Sequence, residues 1–122
     1  MTKTVLVCDD ERHILESVTY VVRQEGYQVL TAEDGLEALR LAQTELPHLL
    51  LLDVMLPHKS GFEVCRELKS DPATNRICII LLTCLGQDRD MEQAYQCGAD
   101  DFLTKPFSPR QLRQRLHELL DD

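Results

Sequence analysis

Short unbroken apolar runs alternate along the chain with longer segments whose apolar positions recur at helical spacing. Thr4 to Asp9 is β-branched, apolar and brief, and predicts a buried strand. Asp10-Glu11 then opens a helix through Glu25, with Ile14, Leu15, Val18, Val21 and Val22 on one face and Gly26 as its stop. Gln28 to Ala32 predicts a second strand. Asp34-Gly35 turns into a helix from Leu36 to Glu45, with Leu36, Leu39 and Ala42 facing inward, and Pro47 bars its continuation. Leu49 to Asp53 is a third strand. Its unbroken leucines predict burial on both faces, as in a central parallel strand.

Leu56 to Gly61 reads as a loop, and Phe62 to Ser70 as a helix closed by Asp71-Pro72. Ile77 to Thr83 is a fourth strand. Gly86 to Cys97 holds a shorter, weakly amphipathic helix ending at Gly98. Asp101 to Lys105 is a fifth strand, and Pro109 to Leu120 a last helix. Strand and helix alternate five times over short connections, which predicts right-handed crossovers and a three-layer α/β sandwich on a parallel sheet.

In that arrangement the strands end in polar, chemically capable residues. The first runs into Asp9-Asp10, the third into Asp53, the fourth into Thr83 and the fifth into Lys105-Pro106. Three carboxylates, a hydroxyl and an ammonium then share the carboxyl edge of the sheet, where open α/β folds bind ligands. Singly, each residue has a plainer role. Asp10 could cap the first helix, the other acids could be solvated, Lys105 could be a surface charge and Thr83 could satisfy a loop. Jointly, the cluster needs a cation among its acids. Mg²⁺ suits it, binding through one or two carboxylates and taking phosphate oxygens. A nearby lysine and hydroxyl complete a phosphoryl-binding set, and a carboxylate can itself accept the phosphoryl group.

Composition narrows the picture. The chain has 122 residues, a one-domain length, and is 43% hydrophobic with few aromatics, so aliphatic packing must dominate. A formal net charge of -8 argues against generic binding to a nucleic-acid backbone. Neither a membrane-spanning stretch nor a signal-peptide plan is evident. The five cysteines (Cys8, Cys65, Cys78, Cys84 and Cys97) lie mostly in apolar runs. They read as buried, reduced thiols of a cytoplasmic protein. No Cys-x-x-Cys occurs, so zinc–thiolate chemistry is set aside.

The ordered motifs resemble those of receiver domains of bacterial two-component response regulators. They are Val7-Cys8-Asp9-Asp10-Glu11, Asp53-Val54-Met55-Leu56-Pro57-His58-Lys59-Ser60-Gly61, Leu82-Thr83, and Gly98 through Phe107. The resemblance spans essentially residues 1–122. It implies a single receiver domain with a five-stranded parallel sheet in the flavodoxin-like order 2-1-3-4-5, a (βα)5 sandwich with no effector domain. Asp53 would accept phosphate from a phosphohistidine on a sensor histidine kinase or histidine phosphotransfer protein. Asp9, Asp10, Asp53 and the backbone carbonyl of Met55 would hold Mg²⁺, or Mn²⁺ in its place. Lys105 would pair with Asp53 and then with a phosphoryl oxygen. Thr83 would move to the phosphoryl group, with Phe102 rotating inward behind it. The Lys105-Pro106 bond would be cis. None of the four histidines matches a role in the family, and His58 reads as exposed.

The implied protein is a switch that assists its own phosphorylation and slow dephosphorylation, and not a conventional enzyme. It would control an output domain or protein without touching nucleic acid or membrane. Cys84 stands where the family often has another small residue. Met55 and Leu85, which flank the site, are apolar and imply slow self-dephosphorylation. Gly98 to Pro109 resembles the winged-helix transcription-factor branch. That branch often forms homodimers through its fourth helix, fifth strand and last helix. Asp101 and Arg115 match one ion pair of that interface, whereas Met91 and Gln111 replace another. Two other readings remain at this stage, a phosphate-independent interaction domain of receiver shape and a Mg²⁺-dependent aspartyl-phosphate hydrolase. The second lacks its Asp-x-Asp after the first strand, and no Gly-rich loop follows that strand to favour a nucleotide or flavin binder.

Overall fold

The computed structural model describes residues 2–84, 92 and 96–121. Five strands form one sheet: β1 Thr4–Cys8, β2 Gln28–Ala32, β3 Leu49–Asp53, β4 Cys78–Thr83 and β5 Asp101–Thr104. Their spatial order is β2-β1-β3-β4-β5, and every pair is parallel. Four helices are bounded among the described residues: α1 Arg12–Gln24, α2 Gly35–Glu45, α3 Gly61–Ser70 and α4 Pro109–Leu120. The helix expected from Gly86 to Cys97 lies largely outside the described residues, although Glu92 and Gln96 are helical.

Side-chain alternation along the strands divides the core in two. Leu6, Cys8, Leu50, Leu52, Ile79 and Leu81 face α2 and α3 through Ala38, Ala42, Val64, Cys65 and Leu68. Val5, Val7, Leu49, Leu51, Ile80 and Leu82 face α1 and α4 through Leu15, Val18, Val22, Leu112 and Leu116. Every residue of β3 is buried, as its leucine run predicts for a central strand.

Two local expectations differ from the structure. Leu36 points outward, 53% exposed, and the inner face of α2 is made by Gly35, Ala38 and Ala42. Small residues there let α2 lie close to the sheet, which leaves no room for a leucine at its first turn. Asp10 is not the cap of α1. The N-cap is Glu11, and no side chain caps that end. Asp10 is therefore an exposed carboxylate without the structural task that would explain it. Asp101 and Arg115 pair within one chain, at 3.2 Å.

Candidate metal and phosphoryl site

Parallel pairing delivers the polar strand ends to one edge of the sheet. Cys8 pairs with Leu52, so Asp9 and Asp53 follow at the same level on adjacent strands. Asp53 in turn lies opposite Leu82, and Thr83 opposite Thr104, which brings Lys105 to the rim one residue later. Ladder bonds continue past the strands and hold these ends: Asp9 N–H to Ala32 O (3.2 Å), Val54 N–H to Leu82 O (3.0 Å) and Lys105 N–H to Thr83 O (2.6 Å).

Carboxylate oxygens of Asp9, Asp10 and Asp53 lie within 4.8 Å of one another. Asp9 is fully buried and Asp53 is 4% exposed, while Asp10 faces solvent. Lys105 Nζ sits 2.8 Å from Asp9 Oδ2 and 3.5 Å from Asp53 Oδ1. Backbone donors add to these pairings. Glu11 N–H donates to Asp9 Oδ1 (2.9 Å), and Met55 N–H donates to Asp53 Oδ1 (3.3 Å). One ammonium thus serves two buried acids.

The electrostatics follow. Burial, and then the neighbouring Asp9 charge, push the Asp53 carboxyl up to about 6, against the pull of Lys105 and the Met55 N–H; Asp10 pushes it further up. Burial works against the Lys105 ammonium, but the Asp9 hydrogen bond and the charges of Asp53 and Asp9 outweigh it and raise its pKa. The three-carboxylate set is made of hard oxygen donors, which fits Mg²⁺ or Mn²⁺.

The loop after β3 is fitted to this task by two glycines. A Cβ on Gly61 would lie 2.3 Å from the carbonyl oxygen of Asp53. A Cβ on Gly35 would lie 2.0 Å from the carbonyl oxygen of Lys59. Gly61 N–H donates to Val54 O, Gly35 N–H donates to Pro57 O, and His58 takes φ 68° between them. The loop is therefore clamped from both sides by backbone, which fixes the peptide that presents Asp53. Sequence reading placed Gly61 only as the loop's end. Its position at the start of α3, directly after the Ser60 cap, was the available signal.

Of the other expected residues, Thr83 is buried at the end of β4. Phe102 is partly buried and packs on the α2/α3 side of the core. Met55 is 74% exposed at the mouth of the site, and the Lys105-Pro106 bond is cis. Cys84 is exposed and lines a mostly apolar cavity of about 370 Å³ with Ile14, Val18, Lys105 and Phe107. Leu85 and Met91 lie outside the described residues.

Comparison with known proteins agrees with this geometry. The alkaline phosphatase synthesis transcriptional regulatory protein PhoP of Bacillus subtilis is 43% identical over 120 residues, covering 98% of this chain and 49% of its own length. The chain spans about half the length of the curated relatives it matches. Among solved structures, the chemotaxis response regulator CheY4 of Vibrio cholerae is similar with a TM-score of 0.92 and 31% identity, over 98% of this chain and 100% of that one. The receiver domain of a sensor histidine kinase from Pseudomonas aeruginosa PAO1, solved with magnesium coordinated in its active-site cleft, is similar with a TM-score of 0.91 and 28% identity, over 100% of both chains. The family model described as the response regulator receiver domain matches residues 5–117. With its sheet order, its acid cluster and its sequence in agreement, the chain belongs to the response regulator receiver domains.

Proposed function

We propose that this domain is a phosphoryl-accepting switch in which Asp53 is the acceptor. The observation that carries the reading is the convergence of three carboxylates within 4.8 Å, with Lys105 reaching both buried ones. An Asp53 oxygen attacks the phosphorus of a phosphohistidine on a partner kinase or phosphotransfer protein. The P–N bond breaks, an O–P bond forms and the imidazole leaves. Asp9, Asp10 and Asp53, with the backbone carbonyl of Met55, are the ligands for Mg²⁺, which supplies charge neutralisation to the incoming phosphoryl oxygens. The Pseudomonas neighbour, with magnesium in its cleft, supports that assignment.

Lys105 exchanges part of its pairing with Asp9 for a phosphoryl oxygen. Thr83, buried one strand away, closes on the phosphoryl group, and Phe102 follows it into the α2/α3 side of the core. β5 and α4 carry the readout face, which also serves a homodimer; the expected segment 86–97 of that face lies largely outside the described residues. Output passes to a further domain or a separate protein, as the transcriptional regulators among the relatives have it. No described helix is long and apolar enough to cross a membrane.

Met55 offers no polar atom on its side chain to orient an attacking water, so self-dephosphorylation is slow. Acetyl phosphate with Mg²⁺, followed by intact mass, tests the reading. A phosphate-sized gain that vanishes in Asp53→Asn is expected. No adduct from acetyl phosphate or from a competent kinase overturns it in favour of a phosphate-independent interaction domain. Met55→Asn should shorten the phospho-aspartate lifetime, and a lifetime of only seconds in the wild type would refute the slow-hydrolysis component.

A further inference from the structure

A cavity of about 470 Å³ opens at the amino ends of β3 and β4, a strand's length from Asp53. Leu46, Pro47 and His48 line it from the segment leading into β3, and Pro72, Arg76 and Ile77 from the segment leading into β4. Leu49 pairs with Cys78, and the Cys78 N–H donates to the His48 carbonyl oxygen (3.1 Å), so the two segments run side by side. Both walls are fastened. His48 N–H donates to Thr4 O (2.9 Å), and Leu46 N–H donates to Ala42 O (3.1 Å). Opposite them, the Lys69 ammonium holds the carbonyl oxygens of Asn75 (3.2 Å) and Ile77 (2.7 Å), and the Thr74 hydroxyl donates to Leu68 O (2.7 Å). The volume falls in the range of small-molecule sites, about 300–1,000 Å³, which are largely formed before their ligand arrives.

The lining combines two donors with an apolar wall. His48 Nδ1 accepts the Thr4 N–H at 3.0 Å, which puts the neutral ring's proton on Nε2 and leaves that nitrogen as a donor. His48 and Arg76 are both exposed, and Arg76 takes part in none of the ion pairs among the described residues. Its guanidinium is a planar fork that matches a carboxylate. Pro47 and Ile77 are buried, and Leu46 and Pro72 are exposed, so apolar surface runs from the interior to the rim. Leu46 ends α2 at φ 47° and ψ 59°, the left-handed conformation that glycine or asparagine usually fills at a helix end. A leucine is held there and left 52% exposed, a strain that neither core packing nor the helix end requires.

We propose that this cavity binds a small organic carboxylate with an apolar body. Arg76 and His48 Nε2 meet the anionic group, and Leu46, Pro47 and Ile77 take the body. With a formal net charge of -8 the chain as a whole repels anions, so one is retained here by directed contacts and not by general attraction. The apolar wall excludes a bare inorganic anion as the preferred occupant, because it would leave that surface uncovered. The cavity is at the opposite end of β3 from Asp53, and the proposal does not depend on phosphoryl transfer there.

The test is a titration of the whole chain with phenylacetate, read by amide proton–nitrogen chemical shifts. Saturable shifts are expected at Leu46, His48, Arg76 and Ile77, with Asp9, Asp53 and Lys105 unmoved. Acetate lacks the body, phenylacetamide lacks the charge and inorganic phosphate lacks both the body and the carboxylate; each should bind at least about tenfold more weakly. Arg76→Gln should weaken phenylacetate by about tenfold. Its side chain is exposed and outside the ion pairs, so the variant keeps the fold. Leu46→Gly suits the left-handed backbone and removes apolar wall, so it should fold and bind phenylacetate more weakly than the wild type. No saturable shift up to about 10 mM phenylacetate would overturn the proposal. So would equal binding of phenylacetamide, shifts centred on the acid cluster, or an Arg76→Gln chain that binds as tightly as the wild type.

Discussion

The two ends of the sheet answer the same problem in opposite ways. At the amino end, donors and acceptors match. Thr4 N–H donates to His48 Nδ1, His48 N–H to Thr4 O, Cys78 N–H to His48 O and Gln28 N–H to Lys3 O. The Lys3 ammonium donates to the Leu120 carbonyl oxygen, which fastens the end of α4 to the start of β1. Nearby, His117 bridges Glu25 at 2.6 Å and Asp121 at 2.7 Å. At the carboxyl end, three acids share one ammonium. Matching partners serve stability, whereas surplus negative charge costs it and is what the proposed cation and phosphoryl site would use.

The sharpest way to break this contrast is to remove the ammonium. Lys105→Ala leaves Asp9 fully buried with a charge that, among the described residues, the Glu11 N–H is left to answer. A cost of about 3–5 kcal/mol is expected, since an uncompensated buried charge is left behind. Urea unfolding with and without Mg²⁺ checks it. A midpoint equal to the wild type without metal would show that Lys105 does not support the acids.

The opposite sign is expected at Asp53. The Asp53 carboxyl is raised from 3.8 to about 6, so its ionisation is easier in the unfolded chain. Stability from this group is complete below its unfolded pKa and is lost as pH rises through the folded value. The loss at neutral pH is on the order of 3 kcal/mol, as an upper bound. Asp53→Asn should therefore melt higher than the wild type above about pH 7, with the gap closing toward pH 4. Mg²⁺ should narrow the gap from the wild-type side, because it binds the native acid cluster. An Asp53→Asn chain that melts lower than the wild type at neutral pH, metal-free, would contradict the surplus-charge account.

Most of this end was legible in the sequence, because a parallel sheet turns strand-end residues into neighbours. Asp9, Asp53, Thr83 and Lys105 each follow an apolar run, and alignment of the runs aligns the residues. What escaped depends on contacts between distant segments. Leu36 has helical spacing like Leu39, yet the close approach of α2 to the sheet turns it outward. Spacing alone likewise does not show that Asp101 and Arg115 stand 3.2 Å apart within the chain. The glycines' steric role was equally invisible, because it is set by the carbonyl oxygens opposite them.

That role gives the next perturbation. Gly61→Ala would set a methyl group 2.3 Å from the Asp53 carbonyl oxygen, a backbone atom that cannot swing aside. A loss of about 1–3 kcal/mol is expected from overpacking. Acceptance of phosphate from acetyl phosphate should fall further than stability explains, because the displaced peptide carries the acceptor. Unchanged acceptance in a folded Gly61→Ala chain would show that the clamp is not needed for positioning.

The smallest effect lies at the amino end and has the reverse dependence on metal. Hydrogen bonds donated to Glu25 and then to Asp121 raise the His117 pKa above its ordinary 6.5. A raised cationic group contributes stability that is complete below its unfolded pKa and disappears as pH climbs through the folded one. The side chain is half exposed, so solvent screens the pair and the contribution is modest. His117→Gln should lower the melting temperature near pH 6, and the difference from wild type should shrink steadily above that. Mg²⁺ should leave the difference untouched, because the bridge is at the far end of the sheet from the acids. A deficit that persists undiminished into alkaline solution would mean that His117 acts through packing, and that the amino end is not held by matched charge.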